Sequence, residues 1–465
     1  MTSIDSLKSL IDASTSPYHC IQEASRRLSQ AGFERLELSK PWAITPGGAY
    51  FVPAYDSTLL AFTVDKDAKK PSDVKSPASH TAPVIRMAAA HTDWPCLKLK
   101  PSPEVSGHGY GKLNVEVYGS PILSTWLDRP LAAAGKVCVA SEDPFHPETR
   151  LLCCTKPLFT IPNLAIHMNR DVNKGVELNP QVDMLPLAAV LTEHLNRDRY
   201  FLDFLAEELS VEPESILDYE IYLYTWEEGC LLGLKEELYS SPRLDNLTSV
   251  EACLAGLIAG HKSSGSSDNG LPLTEEGSCK GGKQDGSTSP IIRVIALYDN
   301  EEVGSRTKQG AASNLTERIL EKLYLSLGYD RSQFLDGLLG GFLLSLDVAQ
   351  AIHPNHPEKC DIKNQIPLGS GVVLKLSASQ AYATDASCVS VIEGLCRANQ
   401  IPFRKFSNRS DMRGGSTLGS ISSAFLNMPA IDAGIPLLAM HSSRELMHRE
   451  DQKALNMLTA AFFQG

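Results

Sequence analysis

A chain of 465 residues is longer than one ordinary hydrophobic core supports, so two domains are expected. Hydrophobic residues at 43% and charged residues at 21% describe a globular protein with ample apolar material to bury. The formal net charge of −12 at pH 7 argues against a nucleic-acid or anionic-membrane surface.

The first forty residues carry helical periodicity, with Leu7, Leu10, Ile11 and then Cys20, Ile21, Ala24 and Leu28 recurring at three- and four-residue spacing. Strand-like runs follow at 49–53 and 58–64, and then a polar, proline-bearing stretch at 65–82 that reads as a surface loop. Residues 83–90 form an apolar strand that delivers His91-Thr92-Asp93. From 101 to 235 the pattern changes to short β-like runs at 113–118, 135–139, 151–154, 165–168 and 219–224, interrupted by a helical stretch at 186–209. That shift predicts a smaller β-rich domain, 101–235, inserted into a domain built from 1–100 and 236–465.

After Pro242-Arg243-Leu244-Asp245 the α/β pattern resumes, with a helix at 247–259 and a strand at 291–298. Between them, 261–290 is rich in Ser, Gly and Lys and reads as a flexible insertion loop. Further strands at 341–346, 372–376 and 437–440 alternate with helical stretches. The alternation predicts an α/β fold whose mixed, mainly parallel sheet is sandwiched by helices. Eleven cysteines, an odd number with no CxxC pair, point to a reducing compartment rather than a disulfide framework. The opening residues lack the basic and apolar regions of a leader, and no apolar run reaches transmembrane length. The expectation is a cytoplasmic protein with no nucleic-acid or membrane partner.

Four strand-like runs each end on a metal-capable side chain: His91 with Asp93, then Asp299 with Glu301 and Glu302, then Asp347, then His441. In open α/β sheets, ligands and catalytic groups gather at the carboxyl ends of strands, where the loops form a crevice. His91 and Asp93 project to one side of an extended chain, although a strand-end turn carries the same pattern. Three carboxylates within 299–302 repel one another unless cations neutralise them, and one of two adjacent glutamates can ligate while the other takes a proton from water. A solvated acidic turn is the competing reading. Asp245 has the form of a helix N-cap and equally of a carboxylate that bridges two metals. Together these residues offer mixed oxygen and nitrogen donors, which suit zinc, cobalt or manganese and exclude a thiolate structural site.

At this point the sequence resembles the aspartyl aminopeptidases, two-metal exopeptidases. The resemblance is carried by His91-Thr92-Asp93 with Pro95-Cys96, Tyr118-Gly119 with Ser124-Thr125-Trp126-Leu127-Asp128-Arg129, and Ile161-Pro162-Asn163-Leu164-Ala165-Ile166-His167. It continues through Pro242-Arg243-Leu244-Asp245-Asn246-Leu247, Tyr298-Asp299-Asn300-Glu301-Glu302-Val303-Gly304-Ser305 and His353-Pro354-Asn355. The last stretches are Tyr382-Ala383-Thr384, Ser410-Asp411-Met412 with Gly415-Ser416-Thr417, and Ala439-Met440-His441-Ser442 with Arg444-Glu445.

The resemblance implies two divalent metal ions per subunit, zinc first and cobalt or manganese as substitutes. His91 and Asp347 would hold one, Glu302 and His441 the other, and Asp245 would bridge them. Glu301 would be the general base and Asp93 the support behind His91. Peptides with acidic N-termini are the implied substrates, recognised by Lys375 with Tyr382 as a neighbouring donor and by backbone N–H groups at Gly415 and Ser416. Taken without the resemblance, Lys375 reads as a snorkelling strand lysine. His167, on the inserted dimerisation domain, would reach the active site of a neighbouring subunit in a homo-oligomer, dimer-based and in the best-known cases a dodecamer. The sequence departs from the family pattern at Trp94, at Gln350 and at Gly119-Ser120-Pro121. Trp94 is expected to narrow the substrate pocket. Three other functions share this residue set: a two-metal aminopeptidase of broad or neutral specificity, a catalytically weak assembly protein on the same scaffold, and a deacylase or carboxypeptidase.

Overall fold

The computed structural model describes residues 2–68, 82–192, 195–265, 289–412 and 414–464. The helical opening is two elements, α1 (Ser3–Ala13) and α2 (Pro17–Gln30). Thr2 and Asp5 cap α1 reciprocally, and Ser16 caps α2 just ahead of Pro17, whose fixed φ suits a first turn but not a helix interior. Strands β1 (Glu34–Arg35), β2 (Ala49–Ala54), β3 (Thr58–Val64) and β4 (Val84–His91) follow. Next come β5 (Cys96–Gly107), β6 (Tyr110–Tyr118), β7 (Leu131–Val139), β8 (Glu148–Cys153), α3 (Pro180–Asp183), β9 (Leu187–Val190), α4 (Tyr200–Leu209) and β10 (Ile216–Thr225). After β11 (Cys230–Leu232) and β12 (Leu238–Ser241) the chain forms α5 (Leu244–Gly265), β13 (Ile291–Tyr298), α6 (Leu315–Ser326), α7 (Arg331–Leu339) and β14 (Phe342–Leu346). It closes with β15 (Ala349–Gln350), β16 (Val372–Leu376), α8 (Ala386–Ala398), β17 (Phe403–Ser407), α9 (Leu418–Leu426), β18 (Ala430–Gly434), β19 (Pro436–Leu437), β20 (Glu445–His448) and α10 (Arg449–Gln464).

The main sheet has nine strands in the order β1-β2-β3-β13-β4-β14-β18-β16-β17. Its centre, β13-β4-β14-β18, is parallel, and β2/β3, β3/β13 and β16/β18 are antiparallel. Tyr298 at the end of β13 lies opposite His91 at the end of β4, and Ser345 of β14 lies opposite Ala89. Three neighbouring strands therefore finish at one edge, each leading into a chemically active residue. Strand alternation feeds two apolar layers. Ile295 and Leu297 face the layer holding α1, α2, α5, α8 and α10, whereas Val294 and Ala296 face the layer holding α6, α7 and α9. This is the expected helix-covered, mainly parallel sheet.

A second sheet, all antiparallel, runs β8-β7-β10-β5-β6-β9. It begins already at Cys96, ahead of the expected boundary at 101, and ends at Thr225. Its buried residues, such as Leu97, Ala133 and Leu223, share a core with α2, and the Tyr18 hydroxyl of α2 donates to Glu220 of β10 at 2.7 Å.

Three expected elements differ. The helix at 186–209 divides: β9 pairs at the sheet edge with Tyr110–Lys112, and only α4 is helical. Edge pairing overrides the helix propensity of Leu187, Ala188 and Ala189, which span only one turn. The strand at 165–168 is a turn, with Met168 N–H donating to the Ala165 carbonyl at 2.8 Å. Its apolar side chains are exposed, so no buried face demands extension. The strand at 437–440 reduces to β19, while β18, unrecognised in the sequence, takes the place in the main sheet. Most of the expected insertion loop 261–290 lies outside the described residues, as does much of 65–82.

One glycine sets how closely β18 approaches the end of β14. A Cβ on Gly434 would run into the Asp347 carbonyl. Gly434→Ala is expected to destabilise the fold by about 1–3 kcal/mol, because neither backbone can yield without losing ladder hydrogen bonds. Urea unfolding followed by circular dichroism measures it, and a midpoint equal to wild type would refute the steric account.

Candidate active site

The carboxyl ends of β13, β4 and β14 open into a cavity of about 560 Å³ lined by His91, Asp245, Glu301, Glu302, Asp347 and His441, with Lys375, Tyr382, Gly415, Ser416 and Gln350 on its walls. Each central strand contributes one cluster. β4 ends on His91, β13 leads through Asp299 and Asn300 into a tight turn at Glu301–Val303, and β14 leads into Asp347. Asp245 arrives from the first turn of α5, which is non-helical at Asp245 and Asn246. Asn246 Nδ2 donates to the Leu346 carbonyl at 2.9 Å, tying that turn to the end of β14. The Asp245 carboxylate faces two histidines rather than capping its helix.

Both histidines are oriented from behind. His91 Nδ1 lies 3.0 Å from the Asp93 carbonyl, and His441 Nδ1 lies 3.0 Å from the Ser120 carbonyl. A carbonyl only accepts, so each Nδ1 carries a proton and each ring turns Nε2 to the cavity, where it would offer its lone pair to a bound cation. His91 Nε2 is 3.4 Å from Asp245 Oδ1 and 3.6 Å from Asp347 Oδ1. His441 Nε2 is 3.4 Å from Asp245 Oδ2 and 3.7 Å from Glu302 Oε2.

These separations are long for hydrogen bonds and natural for ligands around a shared cation. Two donors bound tetrahedrally at zinc distances stand about 3.3 Å apart. Donor atoms of His91, Asp245 and Glu302 all lie within 4.8 Å of one another. Asp245 Oδ1, fully buried, accepts no hydrogen bond. A buried carboxylate oxygen left without a donor is costly, and a divalent cation satisfies it. The donor set therefore fits zinc.

Electrostatics gives the same picture. Burial pushes Glu301 up to about 8, opposed by His91 and assisted by Asp347, Asp93 and Asp245. Burial and then Asp245 raise Glu302 well above its usual value. Asp245, despite its burial, is held below the usual carboxylate range by His441 and His91. Against burial, the surrounding carboxylates hold His91 well above, and His441 at about 10, relative to an ordinary imidazole. Without a cation, protons fill the cluster in its place.

Asp93 lies beneath the site, completely buried. Its Oδ1 accepts from Glu301 N–H and its Oδ2 from Glu302 N–H, each at 3.1 Å, and Tyr118 donates to Oδ2 at 2.8 Å. One carboxylate thus sets the backbone of both glutamates, while its residue's carbonyl orients His91. Gly119 lets the β6 end approach, since a Cβ there would lie 3.1 Å from Glu302 Cβ on a backbone with φ +69°.

Other expected residues are placed as follows. Lys375 is buried, with Nζ 3.2 Å from Asp347 Oδ2 and 5.2 Å from the Tyr382 ring centroid. Burial works against its charge, but Asp347 and Asp432 hold its pKa above the ordinary lysine value. Gly415 and Ser416 lie just ahead of α9, on the cavity wall. His167 is not among the cavity residues; it sits on an exposed segment with Leu164, Ile166 and Met168. Trp94 also departs from expectation. It is 4% exposed, packs 5.6 Å from the Arg243 guanidinium and lines, with Asp245 and His441, a small recess beside this cavity rather than the cavity itself.

Glu445 is a residue whose role sequence reasoning misses. Its Oε2 accepts from Asp245 N–H at 3.0 Å and its Oε1 from His441 N–H at 2.9 Å, so one buried carboxylate holds two candidate ligands in place. Burial and Asp245 push it up to about 8. Its signal in the sequence is its place four residues after His441, within the last of the stretches that carry the family resemblance.

Comparison with known proteins gives consistent matches over the whole chain. The family model described as aminopeptidase I zinc metalloprotease (M18) matches residues 10–274 and 278–463. A probable M18 family aminopeptidase 2 from Clostridium novyi is 40% identical over 446 residues, covering 96% of this chain and 94% of that one. A protein of the same description from Ectopseudomonas mendocina is 36% identical over 466 residues, covering 99% and 98%. Among solved structures, one of an Ape4 and Nbr1 complex matches with TM-score 0.86 and 31% identity over 99% of this chain and 85% of that one. A S. cerevisiae mApe1 dodecamer matches with TM-score 0.78 and 22% identity over 98% and 95%.

Proposed function

The chain belongs to the aminopeptidase I zinc metalloprotease (M18) family, and from that premise we propose that it removes aspartate and glutamate from unblocked peptide N-termini. It is a zinc metallo-aminopeptidase by membership; the acidic preference is our reading. The observation that carries it is Lys375. Among the described residues it is the only lysine or arginine on the cavity wall, buried and beside the ligand Asp347. With Asp347 Oδ1 engaged at the metal centre, the ammonium keeps enough charge to attract a substrate carboxylate.

His91 and Asp347 would hold one zinc ion, Glu302 and His441 a second, with Asp245 between them. Bound there, the ions would supply Lewis acidity, acidifying a water and polarising the scissile carbonyl. Glu301 takes the proton from the attacking water on its carboxylate and delivers it to the leaving amine. The acidic wall formed by Glu302 and Asp245 attracts the free substrate ammonium, which restricts the enzyme to N-termini. Backbone N–H groups at Gly415 and Ser416, ahead of α9, hold the peptide main chain.

Lys375→Met is expected to reduce kcat/KM on Asp- and Glu-reporters by about 100-fold, with a much smaller effect on Leu- and Ala-reporters. A panel of the four reporters measures it. Equal loss on all four would sink the specificity reading and favour a broad aminopeptidase.

The assembly proposal rests on the segment around His167. Leu164, Ile166 and Met168 are 60%, 48% and 75% exposed, an apolar surface of the kind a second copy covers. A homo-oligomer with His167 reaching a neighbouring active site fits that surface, and the S. cerevisiae relative is a dodecamer. Light scattering on the purified protein reads the mass directly. Ten cysteines stand as free thiols in the described residues, which suits a cytoplasmic setting, and no described helix is long and apolar enough to cross a membrane.

A further inference from the structure

Asp432 is a fully buried carboxylate in the middle of the main sheet, outside the set of residues that line the cavity, so it cannot touch substrate. It is the one charged residue of β18, among Ala430, Ile431, Ala433 and Gly434. A charged group in such a strand is costly unless its oxygens are satisfied. Ser345 Oγ donates to Oδ1 at 2.5 Å, and Ala383 N–H donates to Oδ2 at 2.6 Å. The Asp432 N–H in turn donates to the Ala383 carbonyl at 3.0 Å. Both backbone groups of Ala383 are therefore held by this one residue.

These contacts lead to the wall of the substrate cavity. Ala383 follows Tyr382, and the Ala381 carbonyl accepts from Thr417 N–H at 3.3 Å, which ties the segment to the chain just ahead of α9. A Cβ on Gly419, in the first turn of α9, would stand 2.5 Å from both Asp432 oxygens, so the helix start boxes the carboxylate in. On the other side, Leu374 of β16 pairs with Ala433, and the same register sets Lys375 beside Asp432. Ser345 lies opposite Asp432 in the parallel ladder, two residues ahead of Asp347. Tyr382 and Lys375, whose ring and ammonium are 5.2 Å apart, come from separate segments, and Asp432 stands between the backbones that carry them.

We infer that Asp432 is a positioning residue for substrate specificity, holding Tyr382 at the spacing from Lys375 that fits an acidic side chain. This rests on the acidic preference proposed above. The candidate metal centre has supports of its own, Asp93 behind the two glutamates and Glu445 behind Asp245 and His441, and these do not involve Asp432. Loss of Asp432 should therefore be felt in substrate choice and not in the metal.

Steady-state kinetics of the zinc-loaded enzyme on Asp-, Glu-, Leu- and Ala-reporters tests this. Asp432→Ala is expected to lower the ratio of kcat/KM on acidic over neutral reporters about tenfold, through KM rather than kcat, with zinc content unchanged. Asp432→Asn is expected to recover most of that ratio. Its amide oxygen can take the Ala383 N–H while its NH2 turns to Ser345 Oγ, and Lys375 keeps Asp347 at 3.2 Å. Ser345→Ala keeps the carboxylate but removes one of its two donors, and a fall of about threefold in the same ratio is expected. That variant decides the matter if Asp432→Ala fails to fold. Equal losses on all four reporters, or lost zinc, would overturn the inference and make Asp432 a general support of the fold. So would a full acidic preference in Asp432→Ala or Ser345→Ala, or an Asn variant as impaired as the Ala variant. A wild-type enzyme without acidic preference would instead remove the specificity reading, and this inference with it.

Discussion

Glu301→Gln is expected to lower kcat by about three orders of magnitude while zinc content stays at the wild-type level. The amide keeps the shape and volume of the carboxylate but cannot take a proton from water. The Glu301 N–H is bonded to Asp93, and that contact survives the change, so the turn at Glu301–Val303 has no reason to move. The close group of candidate donors is His91, Asp245 and Glu302, which the substitution leaves untouched. Elemental analysis and steady-state kinetics on the same sample separate the two roles. Near-normal turnover would remove Glu301 from the chemistry, and lost zinc would make it a ligand instead.

Asp245→Ala should be the most damaging change to metal binding. Asp245 faces both histidines, one through each oxygen. Its removal takes the shared donor from both halves of the site and leaves His91 and His441 without their common partner. Zinc affinity is expected to fall by more than about 100-fold, beyond the range found for supporting residues, with turnover at background. Zinc content after dialysis against a weak chelator measures it. Retention of full zinc occupancy would show that the two halves bind independently and that Asp245 does not bridge them. Glu445→Gln offers a graded comparison. Its carboxylate touches neither metal-facing nitrogen and holds only the backbones of Asp245 and His441, so a smaller loss of affinity is expected.

Several parts of the site are legible in the residues themselves. Apolar runs ending in His91, in the 299–302 carboxylates and in Asp347 are the ends of β4, β13 and β14, which lie side by side. Local spacing suffices there, because a buried parallel strand is a mostly apolar run, broken here only by Arg86, Arg293 and Ser345, and the clustered acids and histidine mark where it ends. The fourth run misleads. His441 belongs to a turn with φ +65°, brought in by its bond to Ser120 and by Glu445, not by a sheet strand. Trp94 is a second such case: it packs against Arg243 in a recess beside the cavity, a neighbour that adjacency to Asp93 does not reveal.

What the sequence alone determined was the class of fold and the donor types gathered at the strand ends, because both follow from residue chemistry and short-range periodicity; which of Glu301 and Glu302 stands free is implied only by the family resemblance. What only the tertiary structure decided was which groups share a charge. The pairing of Lys375 with Asp347, of Glu445 with the backbone N–H of Asp245, and of Arg243 with the Ile11 carbonyl and the Trp94 and Tyr224 rings all join residues that are distant in sequence. Electrostatic energy falls with distance and rises with burial, and both are properties of packing. The chain that writes most of its candidate metal donors at its strand ends therefore leaves their protonation and partners to the fold.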